Sequence, residues 1–92
     1  VPAMETLKVR NAWCCHYDVN MLDHNALLGP HPELPSFVLA CGFSGHGLQH
    51  APGVGRAIAE LVIHGAYRTI DVSRLGFARV AAGTPLREAN VY

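Results

Sequence analysis

The chain has 92 residues, half of them apolar, with seven basic and seven acidic side chains and no run of like charge. That balance argues against a nucleic-acid partner, which would select a basic face, and reads as one globular unit. No apolar stretch approaches the roughly 20 residues that span a bilayer and no secretory leader opens the chain, so no membrane span is expected and the setting is bacterial cytoplasm or mitochondrial matrix.

The three cysteines, Cys14, Cys15 and Cys41, are odd in number and form no C-x-x-C. They read as thiols, with neither a disulfide framework nor a metal site written in their spacing. The chain opens at Val1, which suggests a processed product or an excised piece of something longer.

Leu7–Val19 is rich in Val, Trp, Tyr and Cys without Gly or Pro, and predicts one long strand. Asp18 to Asn25 is turn chemistry, because Asp and Asn side chains cap their own backbone. Ala26–Gly29 then predicts a short strand that closes a hairpin with the first. Gly29–Pro35 holds three prolines, which forbid helix and suggest a surface connection between two layers. Ser36–Cys41 is apolar without alternation, as in a strand covered on both faces, and predicts an α/β core.

Gly42–Gly55, GFSGHGLQHAPGVG, carries five glycines and two histidines. Beyond it Val54, Ala57, Ile58, Leu61 and Val62 share one helical face, which predicts a helix over about 52–64. Pro52 suits its first turn and Gly65 its C-terminal stop. Thr69–Ser73 reads as a short extended piece, Arg74–Arg79 as a turn of helix, and the tail from Gly83 as loosely held.

A strand, a glycine turn and a helix N-terminus together present backbone N–H groups and a positive dipole end to an anionic or electron-rich ligand. A tight β–α turn alone would need positive φ at one or two sites. Five glycines with His46 among them exceed that need. Gly53-Val-Gly55 is no dinucleotide fingerprint, since it falls inside the helix and its third glycine is replaced by Ile58.

GFSGHGLQHAPGVGRAIAEL followed by TIDVS resembles the C-terminal segment of the FAD-dependent amine and amino-acid oxidoreductases, the D-amino-acid oxidase superfamily in its sarcosine and glycine oxidase branch. Trp13, Tyr17, Asp23 and Gly29-Pro30 extend the likeness upstream. The wording with Gly47-Leu48-Gln49 is most similar to members linked to mitochondrial complex I assembly and to bacterial relatives. The resemblance implies FAD as cofactor, with Gly42, Phe43, Ser44, Gly45, His46, Gly47, Leu48 and Gln49 lining the flavin. The helix N-terminus would face the pyrimidine end of the ring, where negative charge collects on reduction. The family's dinucleotide fingerprint lies far upstream of such a segment, so this chain is expected neither to bind FAD tightly nor to turn over substrate alone.

The same resemblance implies catalytic roles for Tyr17, His46 and Gln49. Sarcosine oxidases commonly carry Lys where Gln49 stands, and Gln donates hydrogen bonds without charge, which weakens the expectation of carboxylate recognition. Allowing one extra residue between Asp18 and Asp23, Cys15 aligns with the cysteine that carries a thioether to the flavin, and Tyr17 with an active-site tyrosine. A buried, merely packing Cys15 is the plainer alternative, and Trp13 either walls a substrate pocket or packs.

The implied fold is α/β, the C-terminal piece of an FAD-binding fold: antiparallel hairpin, buried strand, Gly-rich turn and one main helix. Residues 1–32 would end a substrate-side antiparallel sheet and 33–92 would belong to the FAD-binding domain. Two functions follow: oxidation of the C–N bond of a small amine or amino acid, or a flavin-stabilised assembly and interaction protein without turnover. The partners expected are that small molecule and the remainder of the same polypeptide. A second copy is the third, since an uncovered hairpin edge invites pairing.

Overall fold

The computed structural model describes residues 1–87. Its strands and helices run β1 (Leu27–His31), β2 (Leu34–Cys41), α1 (Gly47–His64) and α2 (Phe77–Ala82), with single 3-10 turns at Pro2–Thr6 and Ser73–Leu75. The sheet is an antiparallel pair, β1 against β2, and α1 is the main helix. The predicted α/β piece is present, but its hairpin is built from different strands than the residue pattern suggested.

Leu7–Val19 is not a strand. Only Val19 makes a bridge, antiparallel to Phe43, and residues 7–18 carry no regular structure. β-propensity marks side chains that fit a pleated, half-buried surface, and among the described residues no second strand lies beside this segment to supply one. Leu7, Val9 and Trp13 remain largely exposed. The radius of gyration is 16.7 Å against about 12 Å for a compact chain of this length, so much apolar surface is left uncovered by the chain itself.

The proline-rich segment is the hairpin, not a boundary between layers. Pairing runs from Leu27 opposite Cys41 to Pro30 opposite Val38, and an irregularity after Pro30 sets His31 opposite Leu34 across Pro32-Glu33. Proline is excluded from central strands because it donates no ladder bond, but both strands here are edges, where that loss is tolerated. β2 is also not covered on both faces: Leu34–Phe37 is exposed and only Val38 and Leu39 are half-buried.

Helix α1 begins five residues before the predicted start, with His46 as its N-cap, so Pro52 lies inside it instead of in its first turn. An interior proline removes the bond that its N–H would give to the carbonyl of Leu48. Gly65 ends the helix at φ 72°, its N–H bonded to the Leu61 carbonyl, the left-handed cap that glycine adopts without strain. Ala57 is buried and Val54, Ile58 and Leu61 are half-buried, whereas Val62 is exposed and falls off the predicted face. Thr69–Ile70 is irregular rather than extended, and Ser73–Ala82 is a 3-10 turn followed by α2.

Glu60 fastens that irregular segment to α1. Its carboxylate accepts bonds from the Thr69 hydroxyl at 2.6 Å, the backbone N–H groups of Arg68 (2.7 Å) and Thr69 (2.9 Å), and Arg56 Nε at 3.2 Å. The Thr69 hydroxyl, then the two backbone donors, hold its pKa at about 2, below the ordinary 4.5. A depressed carboxylate stabilises the fold above its unfolded value and loses that contribution as pH falls. The Thr69 amide resonance is therefore expected to titrate with a midpoint near 2; a midpoint near 4.5 would mean that the anchor is absent in solution.

The small core holds Leu28, Ala26 and Ala57, and with them a buried charge, Arg79. Arg79 reaches from α2 to make a fork on Asp23, Nε to Oδ2 at 2.7 Å and Nη2 to Oδ1 at 3.2 Å. Its remaining donors go to the carbonyls of Leu75, Gly76, Asn25 and Ala26. Asp23 also accepts from the N–H groups of Asn25 and Leu86. The Arg79 fork, assisted by those backbone donors, holds the Asp23 carboxyl at about 2 despite its burial. The tail expected to be loose is thus tied as far as Leu86, whose carbonyl also accepts the Asn25 side-chain amide. The rest of the polar tail, residues 88–92, lies outside the described residues.

Candidate functional site

The glycine turn leaves β2 at Gly42 and enters α1 at Gly47. Gly42, Ser44 and Gly45 all have positive φ, at 71°, 52° and 89°. For Ser44 that conformation is unusual, and such strain persists only where the surroundings over-determine it. They do so here through the Val19–Phe43 bridge, which sets Asp18 opposite Ser44 and Asn20 opposite Gly42.

The Ser44 N–H donates to the Asp18 carbonyl at 3.1 Å, and the Asn20 N–H donates to Ser44 Oγ at 3.0 Å. The Ser44 hydroxyl in turn donates to the Gly42 carbonyl, and the Gly42 N–H donates to the Asp18 carboxylate. Asp18 and Asn20, which hold the turn in shape, are the residues missed at the level of sequence. Their period-2 spacing was visible, but with no reason to pair it to residues 42–44 they read as turn chemistry only.

Tyr17 precedes this bridge and its ring lies on Gly45. A Cβ built on Gly45 would stand 3.3 Å from Tyr17 Cζ and 3.6 Å from its hydroxyl. The structure therefore brings together two of the residues singled out, Tyr17 and Gly45, across the Val19–Phe43 bridge. Asn20 sits as closely against Gly42, where a Cβ would come within 3.2 Å of the Asn20 Cβ. Glycine at 42 and 45 is thus favoured by the positive φ, and a side chain there would also press on Asn20 or Tyr17.

His46 caps α1 through its backbone and donates its N–H to the Phe43 carbonyl at 3.0 Å. Its ring stacks on that of His50, centroids 5.7 Å apart and 19° from parallel, and His50 meets Phe43 at 6.5 Å. The His46 side chain makes no capping hydrogen bond to the helix, and among the described residues the first-turn N–H groups of Gly47, Leu48 and Gln49 stand available to a ligand or solvent. Leu48 and Gln49 are exposed beside them. This donor set fits an electron-rich, planar ring, while the close approach at Gly45 is taken up by Tyr17.

Cys15 is exposed. The alternation that would aim it to the same side as Tyr17 has no strand to act in, because residues 7–18 are irregular. A groove of about 360 Å³ runs behind the turn, lined by Asp18, Val19, Asn20, Leu27, Cys41, Gly42 and Val80. Of the residues proposed for the cofactor, only Gly42 borders it; Gly45 to Gln49 face elsewhere.

A hairpin, a constrained glycine turn and the helix that opens from it make up an α/β piece. The chain belongs to the FAD-dependent oxidoreductase family, DAO, which matches residues 1–61. It is 48% identical over 91 residues to mouse FAD-dependent oxidoreductase domain-containing protein 1, covering 99% of this chain and 19% of that protein. Monomeric sarcosine oxidase of a Bacillus species is 32% identical over 82 residues, 89% of this chain and 20% of the relative. Human mitochondrial sarcosine dehydrogenase is 35% identical over 65 residues, 71% and 7%. The chain spans about a fifth of the length of the first of these. No solved structure matches it. The family's cofactor is FAD, and no helix among the described residues is long and apolar enough to cross a membrane.

Proposed function

We propose that this chain supplies the ring-facing wall of the FAD site in an oxidoreductase that oxidises the C–N bond of a small amine or amino acid. The observation that carries this reading is the uncapped N-terminus of α1 opening directly from Gly42–Gly45, with Tyr17 against Gly45. When bound, FAD supplies the hydride acceptor. Gly42, Phe43, Ser44, Gly45, His46 and Gly47 hold the backbone in the shape that admits the ring. The N–H groups of Leu48 and Gln49 would serve as donors to the electron-rich ring, and the Gln49 side chain would add a neutral donor. The Tyr17 hydroxyl stands on the substrate side and orients the amine.

Leu7, Val9 and Trp13, all more than half exposed, pack against the remainder of the polypeptide. Anaerobic addition of N-methylglycine to the flavin-loaded protein should bleach its visible absorbance. Bound flavin that no N-methyl amine or amino acid bleaches would overturn the enzymatic reading and leave an assembly protein, such as one serving mitochondrial complex I.

Cys15 is the candidate for covalent attachment to the ring, two residues before Tyr17. Acid or denaturant treatment of the loaded protein is expected to leave flavin on a peptide containing Cys15. Cys15→Ala should release it and Cys14→Ala should not. Complete loss of flavin from the unmodified protein would make Cys15 a structural thiol.

A further inference from the structure

We propose that Arg79 and Asp23 form a positioning pair that sets the conformation of the glycine turn and thereby the seat of the flavin ring; the second part rests on the function proposed above. Arg79 lies outside residues 1–61, the part matched to the family, and it touches none of the residues named for the cofactor. Its connection to them is nevertheless continuous. The Arg79 fork holds Asp23 and the carbonyl of Asn25. That same Asn25 carbonyl accepts the Asn20 side-chain amide at 2.7 Å, while the Asn20 Oδ1 accepts the Leu22 N–H at 3.0 Å. The backbone N–H of Asn20 then donates to Ser44 Oγ.

Asn20 is thus fixed on one side by the residues that Arg79 grips and on the other grips the positive-φ Ser44. Arg79 and Asp23 are both almost fully buried, with side chains 7% and 1% exposed, and among the described residues no buried side-chain nitrogen or oxygen lacks a partner. A fully satisfied buried network has one low-energy arrangement. Because Arg79 on α2 grips Asp23, Asn25 and Ala26 just before β1, the turn at residues 20–25 is held in place, and with it the bridge that fixes Ser44.

The pair can be separated from general stability by two variants. Arg79→Lys keeps the charge but loses the fork that grips Asp23 and four carbonyls together. Asn20→Ala keeps the Arg79–Asp23 pair and cuts the connection to the turn. In both, amide hydrogen exchange at Gly42 and Ser44 should rise roughly tenfold relative to the β1–β2 ladder, the scale of coupling within one hydrogen-bond network. Turn amides that stay protected in Asn20→Ala, or a ladder that loosens equally in both variants, would overturn the positioning role. The same variants are then titrated with FAD in the otherwise complete protein. A weaker dissociation constant in both supports the link to the ring, whereas faster exchange at the turn with unchanged FAD affinity would refute that link and leave the positioning pair standing.

Discussion

Arg79→Met is expected to destabilise the protein by about 3–5 kcal/mol, the range found when one partner of a buried ion pair is removed. Asp23 would then be left with its side chain 1% exposed and no countercharge. In the native protein its carboxyl stands at about 2 instead of 3.8, chiefly because of the Arg79 fork. The sign of this shift is that of a depressed carboxylate: the contribution is complete above 3.8 and disappears as pH falls toward 2. In Arg79→Met, burial without a partner raises the Asp23 pKa instead. The deficit of the variant should therefore narrow on acidification toward about pH 4. Denaturant unfolding at neutral and acidic pH measures both effects, and a neutral-pH loss below about 1 kcal/mol would place the pair among exposed ion pairs.

Gly45→Ala is expected to have the largest effect on the cofactor. The new methyl would sit at φ +89° and 3.3 Å from the Tyr17 ring. A left-handed conformation costs a non-glycine residue about 1–2 kcal/mol, a factor of roughly 5–30 in any equilibrium that requires it. Displacement of the Tyr17 ring adds to this. FAD affinity should fall by about tenfold or more, with Tyr17 fluorescence altered even without flavin. Gly55→Ala serves as the contrast, because it is helical and a Cβ there meets nothing within 4 Å. That change should stabilise the protein by up to about 1 kcal/mol and leave FAD affinity unaltered. Equal effects of the two substitutions would remove Gly45 from the site.

The parts of the structure that were legible in sequence are those set by local chemistry. The apolar spacing of Val54, Ala57, Ile58 and Leu61 and the glycine at 65 marked α1, because helical bonds and caps close within a few residues. The glycine density of residues 42–47 marked a turn that must adopt positive φ, and Gly42 and Gly45 do. What escaped depends on distant partners. Leu7–Val19 has the composition of a strand, but pairing is a property of two segments, and only Val19 finds one. Pro30 and Pro35 seemed to break structure, yet a two-stranded sheet consists of edges that accept them.

The support beneath the site escaped for the same reason. Asp18 is separated from Gly42 by 24 residues, and Arg79 from Asp23 by 56. Each of these polar residues looks like ordinary surface or turn chemistry until the fold sets it against its partner. The family resemblance located the glycine turn, whereas the atoms that hold the turn in shape became visible only in three dimensions.

The account stands or falls on whether the turn at Gly42–Gln49 is the surface that meets the flavin ring. Amide hydrogen exchange of the complete protein with and without FAD tests this directly. Protection is predicted to increase at Gly45, His46, Gly47, Leu48 and Gln49, with the exposed strand residues Leu34–Phe37 unchanged. FAD binding that leaves the exchange of residues 45–49 unaltered would contradict it.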